Sequence, residues 1–316
     1  MKRRQFLRTT VSVALLGEMR LMRGARSSMF ISLNGSLVGS VPGPNGRPIS
    51  AVGWPEFARL AAKVGYGGVD LNLKAAMADG EQATRTLLTG LKIKPGVSGF
   101  PAPVFGPDEA AFQEGLAQLP DAAKFVAAIG CPRMMVVLPP ASKTPKAELR
   151  KIYKDRLVAV SEVLLRSKVR LGMEFLGPKY MHTRLPYEFI WRMDEALDFA
   201  KECGSNIGLT LDAWHWYHAG ATIDDILNAG KSRIVTVHVS DAKKEAPEDV
   251  RDNQRLLPGE GVINLIGFFQ ALQKIGYVDA VSPEPLGRIP PGTSPEEGAR
   301  MGLDSTHAVM EKAGVI

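Results

Sequence analysis

Eight short apolar runs, each followed by a longer amphipathic run, predict an α/β chain folded as a single (β/α)8 TIM barrel over residues 29–316. Two absences point the same way. No Gly-rich phosphate loop opens a predicted helix, as a doubly wound nucleotide-binding sheet would require, and no low-complexity linker divides the body. With 316 residues, 45% hydrophobic and 23% charged, the chain can bury the core that such a barrel needs.

Residues 29–33 read as the first strand, and residues 54–64 as a helix because Phe57, Leu60, Ala61 and Val64 recur at helical spacing. Residues 68–73 form the second strand and 82–91 a helix; residues 95–100 form the third strand despite two glycines. The helix predicted over 108–129 is expected to break at Pro120 and to stop at Gly130. Strand four spans 133–138, closed by Pro139 and Pro140, and a long helix spans 146–167. Strand five at 170–175 and a helix over 186–203 lead to the stretch Asn206 to Gly220, where an apolar run delivers Asp212 and then His215. A short helix at 223–229, strand seven at 233–240, a helix at 264–275, strand eight at 280–284 and a helix within 294–312 complete the pattern. Two long connections, 34–51 and 241–263, both follow strands and so belong on the catalytic rim.

Residues 1–28 stand apart from this body. Lys2, Arg3, Arg4, Arg8, Arg20, Arg23 and Arg26 face Glu18 alone, which accounts for the whole formal charge of +6 and leaves residues 29–316 balanced. The body therefore offers no electrostatic footprint for nucleic acid or an anionic membrane. The run Lys2-Arg3-Arg4-Gln5-Phe6-Leu7-Arg8 resembles a twin-arginine export signal, with a short apolar stretch behind it at residues 9–17. The resemblance implies a periplasmic or exported protein; the alternative is a cytoplasmic protein with a basic extension. No membrane span is expected, because that apolar stretch falls far short of the roughly 20 residues a spanning helix needs. The two cysteines, Cys131 and Cys203, show no metal-finger spacing and read as small buried apolar residues.

The last residues of four successive strands carry the chemistry: Glu174 from strand five, Asp212 from strand six, His238 from strand seven and Glu284 from strand eight. Taken singly, a Glu at a strand end is an ordinary salt-bridge partner and a His an ordinary core residue. Together, neighbouring strands of a closed barrel bring all four to one point. Three carboxylates and an imidazole without counter-charge would repel, and one divalent cation accounts for all of them. Oxygen donors with one nitrogen favour Mn2+, Mg2+ or Co2+, with Zn2+ as an alternative.

The segments Leu171-Gly172-Met173-Glu174, Leu211-Asp212-Ala213-Trp214-His215, Val237-His238-Val239-Ser240-Asp241, Pro258-Gly259-Glu260-Gly261 and Pro283-Glu284-Pro285 resemble the signature segments of the sugar phosphate isomerase/epimerase superfamily with xylose isomerase-like barrels. The resemblance implies that Glu174, Asp212, His238 and Glu284 are the metal ligands and that His215 and Asp241 lie beside the substrate. Trp214 and His182 are further candidates for substrate contact; core packing for the tryptophan and an ordinary loop role for the histidine are the alternatives. Ketose 3-epimerases of this group carry a Glu and an Arg where this chain has Tyr180 and Lys244, so the substrate clamps of a strict epimerase are missing.

These residues suit proton transfer next to a carbonyl, with Glu174 and Glu284 as the two catalytic carboxylates on a sugar or keto-sugar. The expected function is a metal-dependent isomerase or epimerase. A lyase expelling a β-substituent from the same enediolate, and a non-catalytic sugar-binding barrel, are the rivals. An oligomeric assembly is compatible with any of these.

Overall fold

The computed structural model describes residues 29–42 and 48–316. The export-like segment at residues 1–28 lies outside the described residues. Eight parallel strands close into one barrel: β1 Phe30–Leu33, β2 Gly68–Leu71, β3 Lys94–Gly99, β4 Arg133–Val137, β5 Arg170–Glu174, β6 Ile207–Asp212, β7 Ile234–Val239 and β8 Ala280–Pro283. Each pairs with its neighbour in sequence, and Phe30 of β1 lies opposite Ala280 of β8 to close the ring. The expected fold is the observed one.

The helices are α1 Glu56–Val64, α2 Leu73–Asp79, α3 Glu81–Leu91, α4 Glu109–Ala128, α5 Lys146–Arg166, α6 Lys179–His182, α7 Met193–Cys203, α8 Ala213–His218, α9 Ile223–Ala229, α10 Leu265–Lys274 and α11 Pro295–Lys312. Helix α1 buries Phe57, Ala58, Ala61 and Val64 on one stripe and ends where Gly65 turns to φ +106°, a left-handed conformation that glycine adopts without a Cβ penalty. Capping boxes start α9 (Thr222 with Asp225) and α11 (Ser294 with Glu297), each fulfilling two otherwise orphaned N–H groups. Among the described residues no helix is long and apolar enough to cross a membrane. Cys131 and Cys203 are buried free thiols.

Three local expectations are corrected. Helix α4 runs through Pro120 without a break; buried Phe112, Leu119, Phe125 and Val126 hold it together, and that packing outweighs the one hydrogen bond the proline removes. The second strand stops at Leu71, because the Asn72 side chain accepts from the Ala75 N–H and caps the unanticipated helix α2. The helix expected from residue 186 begins only at Met193, because Tyr187–Glu188 pairs antiparallel with Ala141–Ser142 as a small ribbon on the rim.

The barrel interior is built from small side chains. A Cβ on Gly96 would overlap Ser32 and Asp70, and one on Gly172 would overlap Thr210, so both glycines are required by close approach across the barrel. The amino-terminal end is closed by Arg133, only 7% exposed. Its guanidinium donates to the carbonyls of Gly96 (2.8 Å) and Pro95 (2.9 Å) and to Asp279 (2.7 Å), reaching from β4 to the entry of β8. Replacing Arg133 by Met leaves these acceptors without that donor and should cost about 2–4 kcal/mol. The exposed pair Arg192–Asp194 should contribute less than about 1 kcal/mol when Arg192 is replaced by Met. Urea denaturation of the two variants, read at the midpoint with unchanged slope, distinguishes these outcomes.

Candidate metal centre

Strands β5, β6, β7 and β8 lie side by side, so their carboxyl ends meet at one mouth of the barrel. Asp212 pairs in register with His238, and His238 with Ser282, two residues before Glu284. One ligand atom from each of Glu174, Asp212, His238 and Glu284 lies within 4.8 Å of the others. His238 Nδ1 sits 2.9 Å from Glu174 Oε1 and 3.5 Å from Glu284 Oε2. Glu174, Asp212 and His238 are buried, whereas the Glu284 side chain is 19% exposed and lines a cavity of about 1130 Å3.

The charge of this cluster is balanced in part by Arg255, which the sequence reading passed over. It is 2% exposed. Its Nη1 donates to Asp212 Oδ2 (2.8 Å) and Glu284 Oε2 (3.2 Å), and its Nε and Nη2 both donate to Asp252 Oδ1 (2.8 and 2.6 Å). Arg255 Nη2 also donates to His215 Nε2 at 3.1 Å, which makes that nitrogen the acceptor and places the His215 proton on Nδ1. The guanidinium carbon lies 4.6 Å from the centroid of the Trp214 ring.

The four groups titrate differently because their neighbours differ. Burial pushes the Glu174 carboxyl up to about 7, against the pull of His238. Burial acts on Asp212 in the same sense, but Arg255 foremost, with His215 and His238, holds it well below the carboxylate range. Glu284 is likewise held low against burial, by His238 and Arg255. Burial alone would depress His238, yet the carboxylates of Glu284 and Glu174 hold it well above the usual imidazole value. His215 goes the other way, pushed by burial down to about 3, consistent with a neutral acceptor of the Arg255 N–H.

The donor set fits a divalent cation. Three carboxylates and one imidazole nitrogen, with no thiolate, match a hard or borderline metal. Donors about 2.0–2.2 Å from one ion lie at most about 4.4 Å apart, so a small contraction of the cluster completes a coordination shell.

The other predicted site residues fall into different places. His215 is at the cluster, on α8, whose first turn is capped by Asp212: Oδ1 accepts from the N–H groups of Trp214 (2.7 Å) and His215 (3.1 Å). Trp214 is 2% exposed and packs beneath Arg255, so it offers no open face for a sugar to stack on. Asp241, expected beside the substrate, is turned into its own loop, where it accepts from the backbone N–H groups of Ala242, Gly259, Gly261 and Ile263. His182 stands apart, stacked on Trp191 with ring centroids 4.0 Å apart and hydrogen-bonded to Glu188. Tyr180 accepts from the Asp252 N–H, and Lys244 is exposed.

Two residues at the site were missed. Arg255 lies three positions before Pro258 in the long loop after β7, and a lone arginine among charged neighbours gives no signal in sequence. Asp70 on β2 accepts from Ser32 (2.8 Å), Ser282 (2.9 Å) and Asn34 (3.2 Å), and burial raises its pKa. It lies inside an apolar run of sequence, one residue before the strand ends at Leu71, so nothing in that run marks it as a terminal residue.

Known proteins share this architecture. An inosose isomerase of Halalkalibacterium halodurans is 28% identical over 207 residues, 65% of this chain and 71% of that protein. A solved xylose isomerase domain protein from Alicyclobacillus acidocaldarius superposes with a TM-score of 0.80 at 26% identity, covering 90% of this chain and 99% of that one. A solved IolI protein, described with a bound zinc atom, superposes with a TM-score of 0.72 at 21% identity, covering 90% and 99%. The model of the xylose isomerase-like TIM barrel family matches residues 58–307, from α1 into the last helix, and this chain belongs to that family.

Proposed function

We propose that the protein is a divalent-metal-dependent isomerase or epimerase of a sugar or cyclic keto-polyol, moving a proton between carbons next to a carbonyl. The observation that carries this reading is the convergence of Glu174, Asp212, His238 and Glu284 within 4.8 Å at the mouth of the barrel. The inosose isomerase relative supports a polyhydroxylated ketone as the substrate class. A cation held by these four residues would polarise a carbonyl and its adjacent hydroxyl and stabilise the negative charge that develops on them.

The residues of the chain divide the remaining work. Arg255 keeps Asp212 and Glu284 ionised, which leaves Glu174 and His238 as the groups that give up protons when a cation binds. In this reading Glu284, which lines the cavity, takes a proton from the substrate, and Glu174, which shares His238 Nδ1 with it, returns one to the neighbouring carbon. Arg255, whose donors are all committed to Asp212, Glu284, Asp252 and His215, acts on the reaction by fixing the charge and position of those groups.

Three measurements test this. Proton NMR in D2O with inosose and ketose substrates should show solvent deuterium entering next to the carbonyl with the carbon skeleton intact; loss of water or an aglycone would replace the isomerase reading with elimination. In that assay Glu174→Gln and Glu284→Gln should each lower turnover about 10²–10⁴-fold, whereas a sugar-binding barrel without catalysis would show no exchange in any form. Arg255→Gln should lower turnover about 10²-fold or more, with elemental analysis at pH 8, where the carboxylates stay ionised, still showing bound metal.

Cation binding must also displace the protons that Glu174 and His238 retain. Because Glu174 is protonated below about 7 in the metal-free protein, apparent Mn2+ affinity measured by calorimetry should fall roughly tenfold or more per pH unit on going below that value.

A further inference from the structure

A second cavity, of about 490 Å3, opens on the same rim behind a partition. Tyr180 lines the central cavity, while Lys179 and His182 of the same short helix line the second; Arg251 lines the central cavity and its neighbour Val250 the second. The partition is held by Arg251, whose guanidinium lies 5.3 Å from the Tyr180 ring centroid, and by the Asp252 N–H donating to the Tyr180 hydroxyl at 3.1 Å.

Behind it the rings are fixed in place. Glu188 accepts from Trp191 Nε1 (3.1 Å) and is hydrogen-bonded to His182 Nδ1 (2.9 Å), which locks the two rings in a parallel stack only 5° from coplanar. Tyr217, 36% exposed, and His218 contribute two more rings from α8. His218 Nε2 is buried and has no partner among the described residues, although a buried unpaired nitrogen costs about 1–3 kcal/mol. Burial pushes that imidazole down to about 4, so it is neutral at physiological pH.

The chemistry of this lining selects its ligand. Lys179 is offset by Glu188 and Glu245, so the cavity carries no net positive charge and is not built for a phosphate or a carboxylate. Aromatic rings beside imidazoles and carboxylates suit a molecule with C–H faces and hydroxyl edges, and the volume falls within the roughly 300–1,000 Å3 usual for small-molecule sites. We propose that this cavity is a second carbohydrate site, which binds one neutral sugar or polyol ring against Trp191 and Tyr217 with its hydroxyl edge toward the polar side chains of the lining. It also gives His182 a role away from the metal centre. The site touches that centre indirectly: the His218 ring lies 4.4 Å from Trp214, on which Arg255 rests. The proposal goes beyond the isomerase reading, because binding here requires none of the four clustered residues.

The test is equilibrium binding of myo-inositol, methyl glucoside and cellobiose to the full chain stripped of metal and carrying Glu284→Gln, followed by tryptophan fluorescence and by saturation-transfer NMR. At least one of these should bind with a Kd on the order of 1 mM or tighter, and Tyr217→Ala and Trp191→Phe should each weaken it about fivefold or more with circular dichroism and melting temperature unchanged. Tyr217 is exposed, so its variant guards against loss of fold. The proposal is overturned if none of the three neutral sugars binds, if only their phosphates bind, or if binding is indifferent to both substitutions. Failure of proton exchange at the metal centre leaves these outcomes untouched, so the two readings stand or fall separately.

Discussion

The structure depends on balancing charge at the carboxyl end of β5 to β8. The barrel topology leaves no freedom here: four adjacent strands bring Glu174, Asp212 and Glu284 together whatever the rest of the chain does. Two ionised carboxylates 4 Å apart repel by about 4 kcal/mol at an effective dielectric near 20, and three repel more. His238 answers Glu174 and Glu284, and Arg255 answers Asp212 and the same Oε2 oxygen of Glu284. The two positive groups divide the acids unequally, and that inequality leaves Glu174 as the one able to hold a proton near neutrality.

Arg255 can do this only because its loop is held rigidly. Asp241 gathers four backbone N–H groups from residues 242–263, and Asp241 and Leu256 exchange a pair of backbone hydrogen bonds at 2.9 Å. A Cβ on Gly261 would overlap the Ala242 carbonyl and Asp241, so the Pro-Gly-Glu-Gly segment must present glycine there. On the other side Gly287, at φ +77°, lets the loop after β8 lie against the Asn253 carbonyl. The segment that resembled a family signature therefore acts on the site through Arg255 rather than by contact with it. Asp241 holds the loop that holds the arginine.

This explains which parts of the molecule were legible in sequence. Strand ends are legible because an apolar run broken by Glu174, Asp212 or His238 leaves the polar residue nowhere to go but the mouth. Pro120 misled because propensity is local, whereas the apolar face of α4 is fixed by the barrel beneath it. Tyr187–Glu188 misled because its partner, Ala141–Ser142, lies in another loop, and no periodicity within one segment reports a pairing between two. Arg255 was illegible for the same reason: its meaning comes from Asp212, Asp252, His215 and Glu284, all brought to it by the fold.

The departures at Tyr180 and Lys244 then take a different sense. A positive group beside the metal centre is a requirement of the charge balance, not of one position in the chain. Lys244 is exposed, and Arg255, reaching in from farther along the same loop, meets the requirement in a buried setting where every donor but Nη1 is directed at Asp252 or His215. Tyr180 is committed to the partition. Of the four clustered residues only Glu284 lines the central cavity, and the facing wall comes from the loops after β1 and β8, through Asn34, Ser36, Ile289 and Pro290. The opening above Glu284 is thus framed by the loops after β1 and β8 on one side and by Tyr180, Arg251 and Asp252 on the other. The strands fix the clustered ligand atoms, whereas the loops shape the cavity above them, which is the usual division of labour at the carboxyl face of such a barrel.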